Sequence, residues 1–76
     1  MTPRPNLIDP ATGRPASIAT IQRLAGLSAT TVQRFERHPR RSSISVGLAY
    51  LGALRACGWA GTLEQLIETI EKRDAA

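Results

Sequence analysis

The run from Ser28 to Arg37 reads SATTVQRFER, and it holds one carboxamide and two guanidinium groups within ten residues. On a helical repeat, Ala29, Thr30, Gln33, Arg34 and Arg37 fall on the side away from Val32 and Phe35. These residue types suit the edges of base pairs. A carboxamide such as Gln33 bonds adenine through two hydrogen bonds, and a guanidinium such as Arg34 does the same with guanine. Ala29 and the methyl of Thr30 suit contact with a thymine methyl. The plainer alternative is a solvated helix face, where polar residues need no partner.

A second set suits phosphate. Ser17, Ser28 and Ser43 stand where helices are predicted to begin, and helix N-termini with Arg are the usual holders of phosphate oxygens. Thr31, Arg23, Arg40 and Arg41 complete the set. Arg40 and Arg41 lie in the basic loop HPRRSS, directly before a predicted helix. The alternative there is a loop kept soluble by its charges. Arg4 and Arg14 are candidates for a basic arm along a nucleic-acid backbone or in a minor groove.

Other chemistry is poorly supplied. His38 is the only histidine and Cys57 the only cysteine, so neither a Cys/His metal site nor an intrachain disulfide is expected. No Ser/His/acid set, carboxylate pair or glycine-rich phosphate loop stands out, and neither an enzyme nor a cofactor is expected. His38 reads as a loop residue before Pro39, and Cys57 as a small buried hydrophobe.

The charge is uneven. Residues 1–60 hold eight Arg against Asp9 and Glu36, a net +6; residues 61–76 hold Lys72 and Arg73 against four acids, a net −2. A positive field of this kind draws polyanions.

These residues need a scaffold. Seventy-six residues with 42% hydrophobic content suit one folded domain with a marginal core. Aromatics are scarce, and Leu, Ile, Val and Ala at helical spacing predict an all-α fold. Pro3, Pro5, Pro10 and Pro15 forbid a continuous helix, so residues 1–16 read as an irregular arm that Leu7 and Ile8 pin to the body. The domain is expected over residues 17–73, with a tail at 74–76. Ser17 caps a first helix that Gly26 ends. Ser28 caps a second, which stops near Arg37 because His38 precedes proline. Ser43 or Ser45 starts a third helix, with Ile44, Leu48, Leu51 and Leu54 in its apolar stripe and Val46 and Tyr50 beside it. Gly47 and Gly52 mark close approach by another helix, and Gly58 ends the element. Thr62 and Gln65 form a capping box for a fourth, with Leu63, Leu66, Ile67 and Ile70 inward. Lys72 and Arg73 suit its negative end. Trp59 reads as a cap on the core, or as part of a dimer interface with Leu66 and Ile70.

The stretch SIATIQRLAGLSATTVQRFE, from Ser17 to Glu36, resembles the helix-turn-helix of the Cro/cI-type (Xre) regulators. The match lies in the Ala-Gly-Leu-Ser turn and in Ser28, Thr31, Val32, Arg34, Phe35 and Glu36. SISVGLAYLGALRACG and TLEQLIETI resemble that family's two following helices. The resemblance covers about residues 17–70 and is nearest to small HipB-like antitoxins. It implies a compact helix-turn-helix bundle of about four helices, with the arm in place of the usual first helix. In that family the Glu matching Glu36 commonly pairs with an Arg from the first helix, a role left here to Arg4 or Arg14.

The expectation that follows is a cytoplasmic, homodimeric, sequence-specific repressor binding double-stranded DNA. By resemblance it is the antitoxin of a toxin–antitoxin operon, binding a kinase-like (HipA-like) toxin. The alternative is a protein-interaction module that neutralises a toxin or other partner without reading bases. The N-terminus has no apolar run suited to a signal peptide, and no segment approaches a membrane span.

Overall fold

The computed structural model describes residues 2–72. Arg73 and the 74–76 tail lie outside them. The described residues form four helices: α1 (Ile18–Ala25), α2 (Ala29–Arg37), α3 (Ile44–Ala56) and α4 (Leu63–Glu71). Single 3-10 turns occupy Arg4–Asn6 and Pro39–Arg41. There is no strand among the described residues, only one antiparallel bridge between Ile8 and Pro15. No helix among them is long and apolar enough to cross a membrane.

Each helix starts where a side chain can satisfy an otherwise unbonded N–H. Ser17 and Thr20 form a reciprocal box: the Thr20 N–H donates to Ser17 Oγ at 3.2 Å, and the Ser17 N–H to Thr20 Oγ1 at 3.0 Å. Ser28 Oγ accepts from the Thr31 N–H at 3.2 Å, and Ser43 Oγ from the Val46 N–H at 3.4 Å. Thr62 and Gln65 form the second box. Gly26 closes α1 at φ +70°, a left-handed conformation that other residues rarely adopt. Only Gly26, Leu27 and Ser28 then separate α1 from α2.

The core joins Ile21 of α1, Val32 and Phe35 of α2, Tyr50, Leu51, Ala53 and Leu54 of α3, and Leu66 and Ile70 of α4. Phe35 and Tyr50 pack ring against ring, with centroids 4.8 Å apart and planes tilted by 39°. At Gly47 a side chain's Cβ would sit 3.2 Å from Leu63 Cδ1 and 3.5 Å from Phe35 Cε1. That glycine lets α4 close on α3, as its sequence position implies. Gly52 does no such work: it is exposed, with open space around it.

The apolar stripe of α3 is rotated from its expected position. Gly47, Tyr50, Leu51, Ala53 and Leu54 face inward. Ile44 and Leu48 are 72% and 53% exposed. α3 is apolar nearly all round, so periodicity alone does not choose its inner face. Packing against α1, with Leu63 of α4 meeting Gly47, does.

The N-terminal segment is ordered against the body. Leu7 packs on the core, and its carbonyl accepts from the Ala16 N–H at 2.8 Å. Ile8, expected beside it as a pin, is 51% exposed. Asp9 is the second anchor, and its side chain is almost fully buried. Oδ1 accepts from the Ala11 N–H at 2.8 Å and from Arg23 at 2.6 Å, and Oδ2 from the Thr20 hydroxyl at 2.9 Å. Those bonds, led by that of Arg23, hold the Asp9 carboxyl down at about 2.

Candidate nucleic-acid interface

Val32 and Phe35 set the orientation of α2, because both are buried. The opposite side then faces solvent. Thr30, Gln33, Arg34 and Arg37 are exposed on it, and Ala29 is half-buried at its start. Thr30, Gln33, Arg34 and Arg37 line one shallow hollow together with His38. A second hollow continues from it past Arg37 and His38 to Pro39, Arg40, Arg41 and Glu71.

Of the eight arginines among the described residues, three hold acids and five do not, Arg14 and Arg55 being exposed and unpaired away from α2. Arg4 bonds Glu36 through Nε at 2.9 Å and Nη2 at 3.3 Å, and the carbonyl of Ala16 through Nη1 at 3.1 Å. Arg23 bonds Asp9, and Arg40 bonds Glu71 at 2.8 Å with Glu64 at 3.5 Å. Arg34, Arg37 and Arg41 make no ion pair or side-chain hydrogen bond among the described residues. The uncommitted cations of α2 and the turn after it therefore lie along one strip.

This division gives several of the expected site residues internal partners. Arg23 points its charge at Asp9, which holds the guanidinium protonated more firmly than usual. Arg40 is drawn to the acids of α4, chiefly Glu71. Both guanidinium groups nonetheless stay about half exposed, at 48% and 57%. Arg4 is no loose arm, and it takes the place beside Glu36 that the sequence left to Arg4 or Arg14. Burial opposes its charge, but the bond and charge of Glu36 outweigh that and hold it protonated. The hydroxyl oxygens of Ser17, Ser28 and Ser43 are occupied as helix caps, and the Thr31 hydroxyl lies 2.8 Å from Ser28 Oγ. These four stay at exposed or half-exposed helix starts, with their side chains committed internally.

Leu66 and Ile70, expected at a dimer contact, have almost no accessible surface. They complete the core against α3, so a partner cannot reach them. Trp59 is half-buried, packs on the core, and covers Gly61 so closely that a side chain there has no room.

The composition around Glu36 was only partly anticipated. Tyr50 donates its hydroxyl to Glu36 Oε2 and lies 2.6 Å from the Thr2 hydroxyl. Burial first, and then the bond to Glu36, push the Tyr50 phenol well above its ordinary range. One signal for both acids was present in the chain: residues 1–60 hold only Asp9 and Glu36 among eight arginines. Each has an arginine partner, and both sit where the N-terminal segment meets the helices.

No family model matches the chain, and no curated protein or solved structure matches it significantly.

Proposed function

We propose that this chain is a DNA-binding transcriptional regulator of the Cro/cI helix-turn-helix kind, with α1 as support and α2 as the helix that enters the major groove. One observation carries the reading. Val32 and Phe35 hold α2 from beneath, while Thr30, Gln33, Arg34 and Arg37 are exposed, helical and uncommitted on its outer side. A major groove admits one such helix, and its base edges match a carboxamide and a guanidinium. Arg34 and Gln33 read bases with Arg37 beside them on the same face, Ala29 and Thr30 meet thymine methyls, and Arg41 holds the backbone. The ion pair of Arg4 with Glu36 supports the same reading, since it occupies the position where the resemblance places an Arg from a first helix.

On this reading the protein represses as a homodimer, and the nearest resemblance makes it an antitoxin acting on its own promoter beside a kinase-like toxin. With Leu66 and Ile70 inside the core, Ile44 and Leu48 on α3 are the most exposed large apolar side chains among the described residues that a second copy could cover. The same area favours the second reading, a module that docks a protein partner without reading bases.

Selection of bound duplexes from a random pool, at moderate salt, separates the two. A regulator enriches paired half-sites about one helical turn apart, and its affinity falls steeply with salt. If no sequence is enriched while a tight protein partner co-purifies, the interaction module replaces it.

A further inference from the structure

A hollow of about 730 Å³ opens where the starts of α3 and α4 meet the end of α2, and the reading above gives it no part. Its volume lies within the usual range for small-molecule sites, about 300–1,000 Å³. Phe35, Ile44, Leu63 and Ile67 are among its apolar lining. Phe35 is buried, Leu63 and Ile67 are half-buried, and Ile44 is largely exposed. Two charged side chains line it, Arg40 and Glu64, of opposite sign. They lie 3.5 Å apart, and Arg40 also bonds Glu71 at 2.8 Å. The lining therefore carries no net charge. The hydroxyl oxygens of Ser43 and Thr62 accept the cap N–H groups of their helices. Ser42 differs: it is half-buried, lines the hollow, and its hydroxyl makes no hydrogen bond among the described residues.

We propose that this hollow is a binding site for a small, uncharged, mainly apolar molecule with one hydroxyl group, which Ser42 hydrogen-bonds. The inference is independent of the DNA-binding reading, since it uses none of the outward side chains of α2. Affinity comes from apolar contact, because water leaves Ile44, Leu63 and Ile67 as the molecule enters. An ion is disfavoured. It gives up water without gaining a counter-charge, since Arg40 and Glu64 already answer each other. One polar group on the ligand is matched by the one uncommitted hydroxyl of the lining, whereas a second polar group loses water for no partner. Phe35 also holds α2 from beneath, so the bound molecule touches the anchor of that helix.

The test is a titration of the full chain with N-phenylnaphthylamine, an uncharged probe that fluoresces in apolar surroundings. Binding is expected to saturate at one probe per chain. Ile44→Glu, on the lining, weakens it about tenfold, while Leu48→Glu, off the lining, leaves it unchanged. Both side chains are exposed, so both variants keep the fold, which circular dichroism checks. Naphthol is expected to displace the probe about fivefold more tightly than naphthalene, and Ser42→Ala removes that difference. Binding that never saturates, or that Leu48→Glu weakens as much as Ile44→Glu, overturns the site, because the probe then reports exposed apolar surface in general. An affinity that falls as the protein concentration rises also overturns it, and assigns the hollow to a second copy. A naphthol preference that survives in Ser42→Ala overturns the role of Ser42 and with it the ligand class. Each of these outcomes leaves DNA binding untouched.

Discussion

Arg4 and Glu36 stand at opposite ends of the N-terminal half of the chain, yet the guanidinium Nε lies 2.9 Å from the carboxylate Oε2. Both side chains are mostly covered. The pair ties the N-terminal segment to the inner edge of α2, and Tyr50 adds a donor from α3. The segment thereby helps to hold α2 in place. Three separate elements meet at a single carboxylate.

Removing one partner of this pair leaves the other charge covered and unanswered. Arg4→Ala is expected to destabilise the fold by about 2 kcal/mol, between the values for exposed and fully buried pairs. Glu36→Gln is expected to cost a similar amount, since it keeps the shape and loses the charge. Urea melts of the two single variants and the double variant measure the coupling. Additive single effects would show that the pair contributes nothing as a pair.

Asp9 predicts a particular acid sensitivity. Its carboxyl is held at about 2, below the ordinary 3.8, by Arg23, the Ala11 N–H and the Thr20 hydroxyl. A depressed carboxyl stabilises the fold fully above its unfolded pKa and loses that contribution as pH falls through the folded one. The loss should thus run from about pH 4 down to about pH 2. In Asp9→Asn this part of the acid-induced loss of stability disappears, which thermal melts across that window would record. Parallel melting profiles for wild type and variant would refute the assignment.

On DNA, Arg34 and Arg41 should behave differently. Arg34→Ala should lower discrimination between the selected site and its variants, by about 1–3 kcal/mol at one base position. Arg41→Ala should weaken binding on all sequences alike and reduce the steepness of the salt dependence by about one phosphate contact. Competition titrations on matched and altered duplexes distinguish them. Unchanged discrimination in Arg34→Ala would remove that residue from base reading.

The open face of α3 makes a statement about assembly. Leu48→Glu puts a charge on a residue that is 53% exposed in the single chain, so the fold should tolerate it. If two copies meet there, sedimentation should show the dimer lost while the helical signal is kept. A dimer of unchanged strength would place the contact elsewhere.

The helix ends were legible because each is a local event. A cap needs only a hydroxyl three residues before an N–H, and Ser17, Ser28, Ser43 and Thr62 each stand at that spacing. Gly26 and the His38–Pro39 step are equally local stops. The outward side of α2 was also readable, because Val32 and Phe35 are its only large apolar residues and leave one choice of inner face.

The arginines and α3 were not readable in the same way. Whether a guanidinium is free depends on which acid comes within about 4 Å of it, and Arg4 meets Glu36, Arg23 meets Asp9, and Arg40 meets Glu71 across stretches that no local pattern spans. Eight arginines in residues 1–60 look alike on the chain, and only the folded arrangement separates those that neutralise an acid from those that remain available. Helix α3, apolar on nearly every side, had its inner face chosen by packing against α1 and by the approach of Leu63 to Gly47. Local chemistry therefore set where the helices begin and end, while long-range packing decided which charges and which apolar side chains were left for a partner.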